Sequence, residues 1–112
     1  MSKDDYHVIA YKILAYLYAC LKQGENPDLE YLTAENFKIN LAYWEYILEH
    51  LYKSNFIEGI KLVPILGKEN KGIKITTQIT ITPQGIEFLQ ENSIMKRVKE
   101  FLISIKEIMP NL

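Results

Sequence analysis

The stretch Asn40-Leu41-Ala42-Tyr43-Trp44-Glu45-Tyr46-Ile47-Leu48-Glu49-His50-Leu51-Tyr52-Lys53-Ser54-Asn55-Phe56-Ile57-Glu58-Gly59 contains the change of period on which the fold turns. Asn40 is a good N-cap, and the spacing predicts a helix from there to about Ser54. At about 100° per residue, Leu41, Trp44, Ile47, Leu48 and Leu51 fall on one side and form its core face. The opposite side carries Ala42, Tyr43, Tyr46, Glu49, His50 and Lys53, so two tyrosines and a histidine are predicted to stand toward solvent. After Asn55 the pattern becomes strand-like through Phe56-Ile57-Glu58-Gly59-Ile60-Lys61-Leu62-Val63-Pro64.

Outward from this junction the next segment is a second strand. Ile73, Ile75, Ile79 and Ile81 alternate with Lys74, Thr76, Gln78, Thr80 and Thr82, and Thr77 interrupts the phase as a bulge does. Gly67-Lys68-Glu69-Asn70-Lys71-Gly72 is a polar turn between the two runs, which together read as one hairpin with a basic tip. Upstream, Ile9, Ile13, Leu14, Leu17 and Leu21 recur at helical spacing from Asp4 to Gln23, with Gly24 placed as a C-cap. Tyr11 and Tyr18 lie on a second face of that helix. Glu25-Asn26-Pro27-Asp28 is a loop, Leu29 to Leu32 reads as a short extended piece, and Thr33 caps a short helix through Phe37. Downstream, Thr82 or Pro83 opens a helix held by Ile86, Phe88 and Leu89. A last helix runs from Ile94 to about Met109, with Pro110 ending it.

Helix, short helix, helix, hairpin, helix, helix is an α+β order, mainly α. Two helices joined by a tight turn and followed at once by a hairpin match a winged helix-turn-helix with a two-stranded wing and an extra C-terminal helix. Residues 1–92 make the winged-helix domain and 93–112 the C-terminal helix, which packs on the domain or dimerises. Ile81-Thr82-Pro83-Gln84-Gly85-Ile86-Glu87-Phe88-Leu89 resembles the "L-T-x-x-G" segment that opens a helix after the wing in many bacterial winged-helix proteins. From about Tyr11 to Pro110 the chain is similar to the YjcQ-like small proteins of Gram-positive bacteria and their phages. That likeness is carried by Ser54-Asn55-Phe56-Ile57-Glu58-Gly59, by Thr82 through Asn92, and by the apolar terminal helix. The resemblance implies a winged-helix fold and a prophage setting, and it brings no catalytic residues. The turn before the last helix lacks a glycine, which departs from the pattern.

Composition narrows the class of function. The 112 residues are 48% hydrophobic and 24% charged, with a net charge of -1, so disorder is excluded and a core is affordable without staples. A single cysteine removes disulfide scaffolds and Cys-based zinc clusters. The apolar run Val8 to Leu21 is too short to span a bilayer and contains Lys12. Leu17-Tyr18-Ala19-Cys20 superficially resembles a lipoprotein cleavage site, but Asp4 and Asp5 stand where a leader needs positive charge. A cytoplasmic, membrane-free protein is expected, with Cys20 reduced and buried, or alternatively a reactive thiol. His7 and His50 lie on separate helices and form no ligand spacing with Cys20; no phosphate-binding glycine loop is present. No catalytic residue, metal or cofactor is expected.

Charge must therefore be read locally. Between Glu25 and Glu58 seven acids and two bases give -5, whereas between Lys61 and Thr82 four bases and one acid give +3. A DNA-binding reading uses Lys68, Lys71 and Lys74 as backbone contacts from the wing, Lys38 and Asn40 at the helix entrance, and Tyr43, Tyr46, His50 and Lys53 on the exposed face. The alternative reading of the wing lysines is a solvated tip. The exposed face has no arginine for guanine, and tyrosines on such a face equally suit a protein partner. The two functional expectations are thus a DNA-binding regulator of phage or prophage type and a non-catalytic protein-interaction module. A homodimer through the first and last helices is the accompanying expectation.

Overall fold

The structure, a computed structural model, describes residues 4–64 and 71–91. The turn at 65–70 and the expected helix from Ile94 to Met109, with the domain division placed before it, lie outside the described residues. Among the described residues six elements follow in order: α1 Tyr6–Gln23, α2 Ala34–Phe37, α3 Leu41–Lys53, β1 Ile57–Pro64, β2 Lys71–Ile81 and α4 Pro83–Glu91. The fold is α+β, mainly helical, with one two-stranded antiparallel sheet.

α1 buries Ile9, Ala10, Ile13, Leu14, Leu17 and Cys20. It stops where Gly24 takes a left-handed φ of 68° and its amide returns to the Leu21 carbonyl at 3.2 Å, a geometry that glycine adopts without a Cβ clash. Leu21 departs from its expected core place and is 49% exposed, because the last turn of α1 borders an open cavity of about 230 Å³ against the β2 backbone. Tyr11 and Tyr18 are half-buried against the core, and Lys22 covers the Tyr18 ring at 4.4 Å.

Leu29 to Leu32 forms a turn and not the expected extended piece. The Asp28 carboxylate accepts from the Glu30 amide at 2.9 Å, and its carbonyl accepts from Tyr31 at 3.1 Å. An aspartate that bonds the amide two residues on closes the chain locally and removes those groups from any strand ladder. The caps of the next two helices are as expected: Thr33 Oγ1 accepts from Asn36 at 3.1 Å, and Asn40 Oδ1 accepts from Tyr43 at 2.8 Å.

Trp44, Ile47, Leu48 and Leu51 are the buried face of α3. Leu41 shares their side but is 63% exposed. It is the first helical residue, and the end of α3 overhangs the core beside a groove of about 350 Å³ bordered by Leu32, Ala34, Ile39 and Trp44. Helical spacing identifies a face; it does not say how far along the helix that face remains covered.

α3 leads directly into the hairpin. Asn55 adopts a left-handed φ of 62°, and the Phe56 amide donates to Leu51 at 2.9 Å, which aims the chain back along the core. β1 pairs with β2 from Ile57 opposite Ile81 to Pro64 opposite Lys71. The bulge expected around Thr77 is present: β1 advances from Glu58 to Ile60 while β2 runs from Thr80 to Ile75. Gly59 makes it feasible, with a φ of 87° at which a Cβ would lie 2.3 Å from the Gln78 carbonyl oxygen. Thr76 Oγ1 donates to the Gly59 carbonyl at 2.5 Å and ties the bulged residues down.

Thr82 joins the two ends of this unit. It is buried, its hydroxyl donates to the Asn55 carbonyl at 2.6 Å and accepts from the Gly85 amide at 3.0 Å, and its own amide donates to Phe56 at 3.0 Å. The Thr-Pro-Gln-Gly segment is thus a helix cap that also fastens the turn after α3. Thr82→Val keeps the shape but leaves the part-buried Asn55 carbonyl and the buried Gly85 amide without this partner. It is expected to cost about 2 kcal/mol, read as a lower urea midpoint with an unchanged slope. A midpoint equal to that of the wild type would show that solvent replaces both bonds.

Candidate nucleic-acid interface

The outward face of α3 is built by four residues at spacings of four, three and four: Ala42, Tyr46, Glu49 and Lys53. They form one column because residues three and four apart are neighbours on a helix. Tyr46 is 52% exposed. His50 stacks on its ring with a centroid distance of 4.0 Å, and His50 Nδ1 lies 2.9 Å from the Tyr46 carbonyl. A carbonyl only accepts, so Nδ1 is the donor in this hydrogen bond. Lys53 Nζ is 2.9 Å from Glu49 Oε1, so the column ends in a neutralised, largely exposed pair.

The two flanks of the column are occupied. On one, Tyr43 is half-buried and its hydroxyl donates to the Asp4 carbonyl at 2.7 Å; Tyr6 stands edge-on to Tyr46 at 6.3 Å. Burial, aided by the Asp4 and Asp5 carboxylates, raises the Tyr43 phenol above its ordinary range and holds it in the donating form. The expectation that Tyr43 stands free in solvent is therefore corrected: it fastens the N-terminal segment to α3. On the other flank, Glu45 accepts from the Ile73 amide of β2 at 2.9 Å. Both carboxylates of α3 are thus engaged, one by the hairpin and one by a lysine.

The remaining expected contacts are dispersed. Lys38 is exposed at the C-cap of α2, with a left-handed φ of 58°, and Asn40 has its side-chain oxygen committed to the α3 cap. Lys74 is exposed on β2 directly opposite the exposed Lys61 of β1. Lys68 and the side chain of Lys71 lie outside the described residues. Two residues of interest were not selected from sequence, Lys61 and Glu45. Lys61 is visible there as the polar position of a strand, but its pairing with Lys74 depends on a register set across the bulge.

Among the described residues no three His, Cys, Asp or Glu side chains are grouped to hold a metal ion, and no helix is long and apolar enough to cross a membrane. A helical bundle whose third helix runs straight into an antiparallel hairpin, with a capped helix returning behind it, is a winged-helix arrangement. The chain belongs to the YjcQ family, whose model, described as YjcQ protein, matches residues 11–108. No curated protein and no solved structure matches the chain.

Proposed function

We propose that this protein is a non-catalytic, DNA-binding winged-helix protein acting inside the cell as a regulator of phage or prophage type. The observation that carries the reading is the cross-strand pair Lys61 and Lys74, both exposed, on a hairpin that packs against α3. Like charges directly opposite one another destabilise a strand pair, and a polyanion on that face offsets the repulsion. The engagement of Glu45 and Glu49 also lessens the opposition that the acid count of the α3 region implies. In this reading the hairpin holds phosphates and Tyr46, with the ring edge of His50, meets the groove. A homodimer through the first and last helices supplies the second half-site.

A second reading is supported by a different observation. Leu41, Tyr46 and Tyr52 are all exposed large side chains of α3, and no arginine accompanies them. Such a surface suits a protein partner. Salt separates the two readings. Duplex binding followed by fluorescence anisotropy should weaken steeply between about 50 and 200 mM salt, and Lys61→Gln with Lys74→Gln should lower the log–log slope by about two per protomer. If mixed-sequence duplex gives no salt-sensitive anisotropy change, the DNA reading is lost and the protein-contact reading takes its place.

A further inference from the structure

We infer that Glu45 is a positioning residue that holds the wing at a set offset from α3, an inference whose functional arm rests on the DNA-binding reading. The Glu45 carboxylate and the Ile73 amide are 28 positions apart in sequence and 2.9 Å apart in space, in a partly buried setting. Among the described residues no other side-chain hydrogen bond joins α3 to the hairpin. The bond is charge-assisted, so it is stronger than a neutral contact, and it is directed. Its place on the strand matters too. Ile73 pairs with Leu62, and the next pair along the ladder is Lys74 with Lys61. The latch therefore grips the backbone one residue from the lysine pair and couples that pair to the helix carrying Tyr46.

The alternative role is simpler: a carboxylate that satisfies an edge amide and shields the strand from pairing with another chain. The two roles differ in the sign of one effect. Removing an acid from a DNA-facing helix ordinarily raises affinity, because one repulsive charge disappears. Removing a positioning residue lowers affinity although that charge has gone. Glu45→Gln removes the charge but retains an amide oxygen able to accept from Ile73, so it separates charge from positioning.

The test compares wild type, Glu45→Ala and Glu45→Gln in the full chain. In Glu45→Ala, exchange of the Ile73 amide should accelerate about tenfold, and residual dipolar couplings should report a changed or averaged orientation of the hairpin relative to α3. Affinity for a mixed-sequence duplex should fall about tenfold in Glu45→Ala and return to within about threefold of wild type in Glu45→Gln. Unchanged Ile73 exchange and hairpin orientation in Glu45→Ala overturn the inference, as does duplex affinity equal to or above that of wild type. If the wild type itself binds no duplex, the functional reading fails separately. The positioning role then stands or falls on the exchange and orientation measurements alone.

Discussion

Gly85→Ala is expected to destabilise the protein by about 3 kcal/mol and to lower the melting temperature by about 12 °C or more. A Cβ at Gly85 would lie 2.3 Å from the Phe56 carbonyl oxygen and 2.7 Å from Ile81 Cγ1. The first of these neighbours is backbone and is held from both sides: the Phe56 carbonyl accepts from Thr82 at 3.0 Å, and the Phe56 amide donates to Leu51 at 2.9 Å. The turn cannot retreat without losing those bonds, so α4 has to lift, and the Phe56–Phe88 stack at 4.5 Å opens with it. Calorimetry on the two proteins decides the matter. A midpoint within about 2 °C of the wild type would mean that α4 is not seated on the Phe56 turn.

The second large effect is a contrast within one helix. Trp44→Ala should cost about 4 kcal/mol, whereas Tyr46→Ala, only two positions away, should cost less than about 1 kcal/mol. Trp44 is 4% exposed and stacks on Phe37 at 5.2 Å, so truncation empties space between α2 and α3 that no neighbour can fill. Tyr46 has half its surface in water, with the His50 ring stacked on it at 4.0 Å and the Tyr6 ring edge-on at 6.3 Å. Urea titrations of both variants test the assignment of faces. Equal losses would place the Tyr46 ring in the core and remove the candidate surface. A stable Tyr46→Ala variant is also the right reagent for any binding measurement, because loss of binding could then not be attributed to unfolding. Tyr43→Ala lacks that property, since its hydroxyl and half-buried ring secure the N-terminal segment.

The helix limits were legible because they depend on neighbours in sequence. Thr33, Asn40 and Gly24 cap through bonds that reach no more than a few residues, and those bonds form wherever the chain goes helical. Alternation in β2 and its break near Thr77 were legible for the same reason. The Leu29–Leu32 turn was misread because four residues with two leucines look extended, while the Asp28 side chain closes the turn before the leucines can act as a strand.

Local spacing was a weaker guide to burial. Leu41 and Leu21 obey the helical pattern of their stripes but sit at helix ends that overhang the core. Tyr43 obeys the pattern of an exposed face but is covered by a segment 39 residues earlier in the chain. A count of charges around α3 likewise carries no information on partners: Glu45 meets Ile73 and Glu49 meets Lys53.

The order of amino acids was sufficient for the described helices and strands, their caps, the change of period at Asn55 and the inward set of Trp44, because each follows from bonds and periodicities a few residues long. Which long-range pairs meet was settled by packing: Lys61 against Lys74 across a bulge, Thr82 against Asn55, and Glu45 against the hairpin edge. These contacts join residues up to 28 positions apart, and their existence depends on how the helices and the twisted strand pair close over one core.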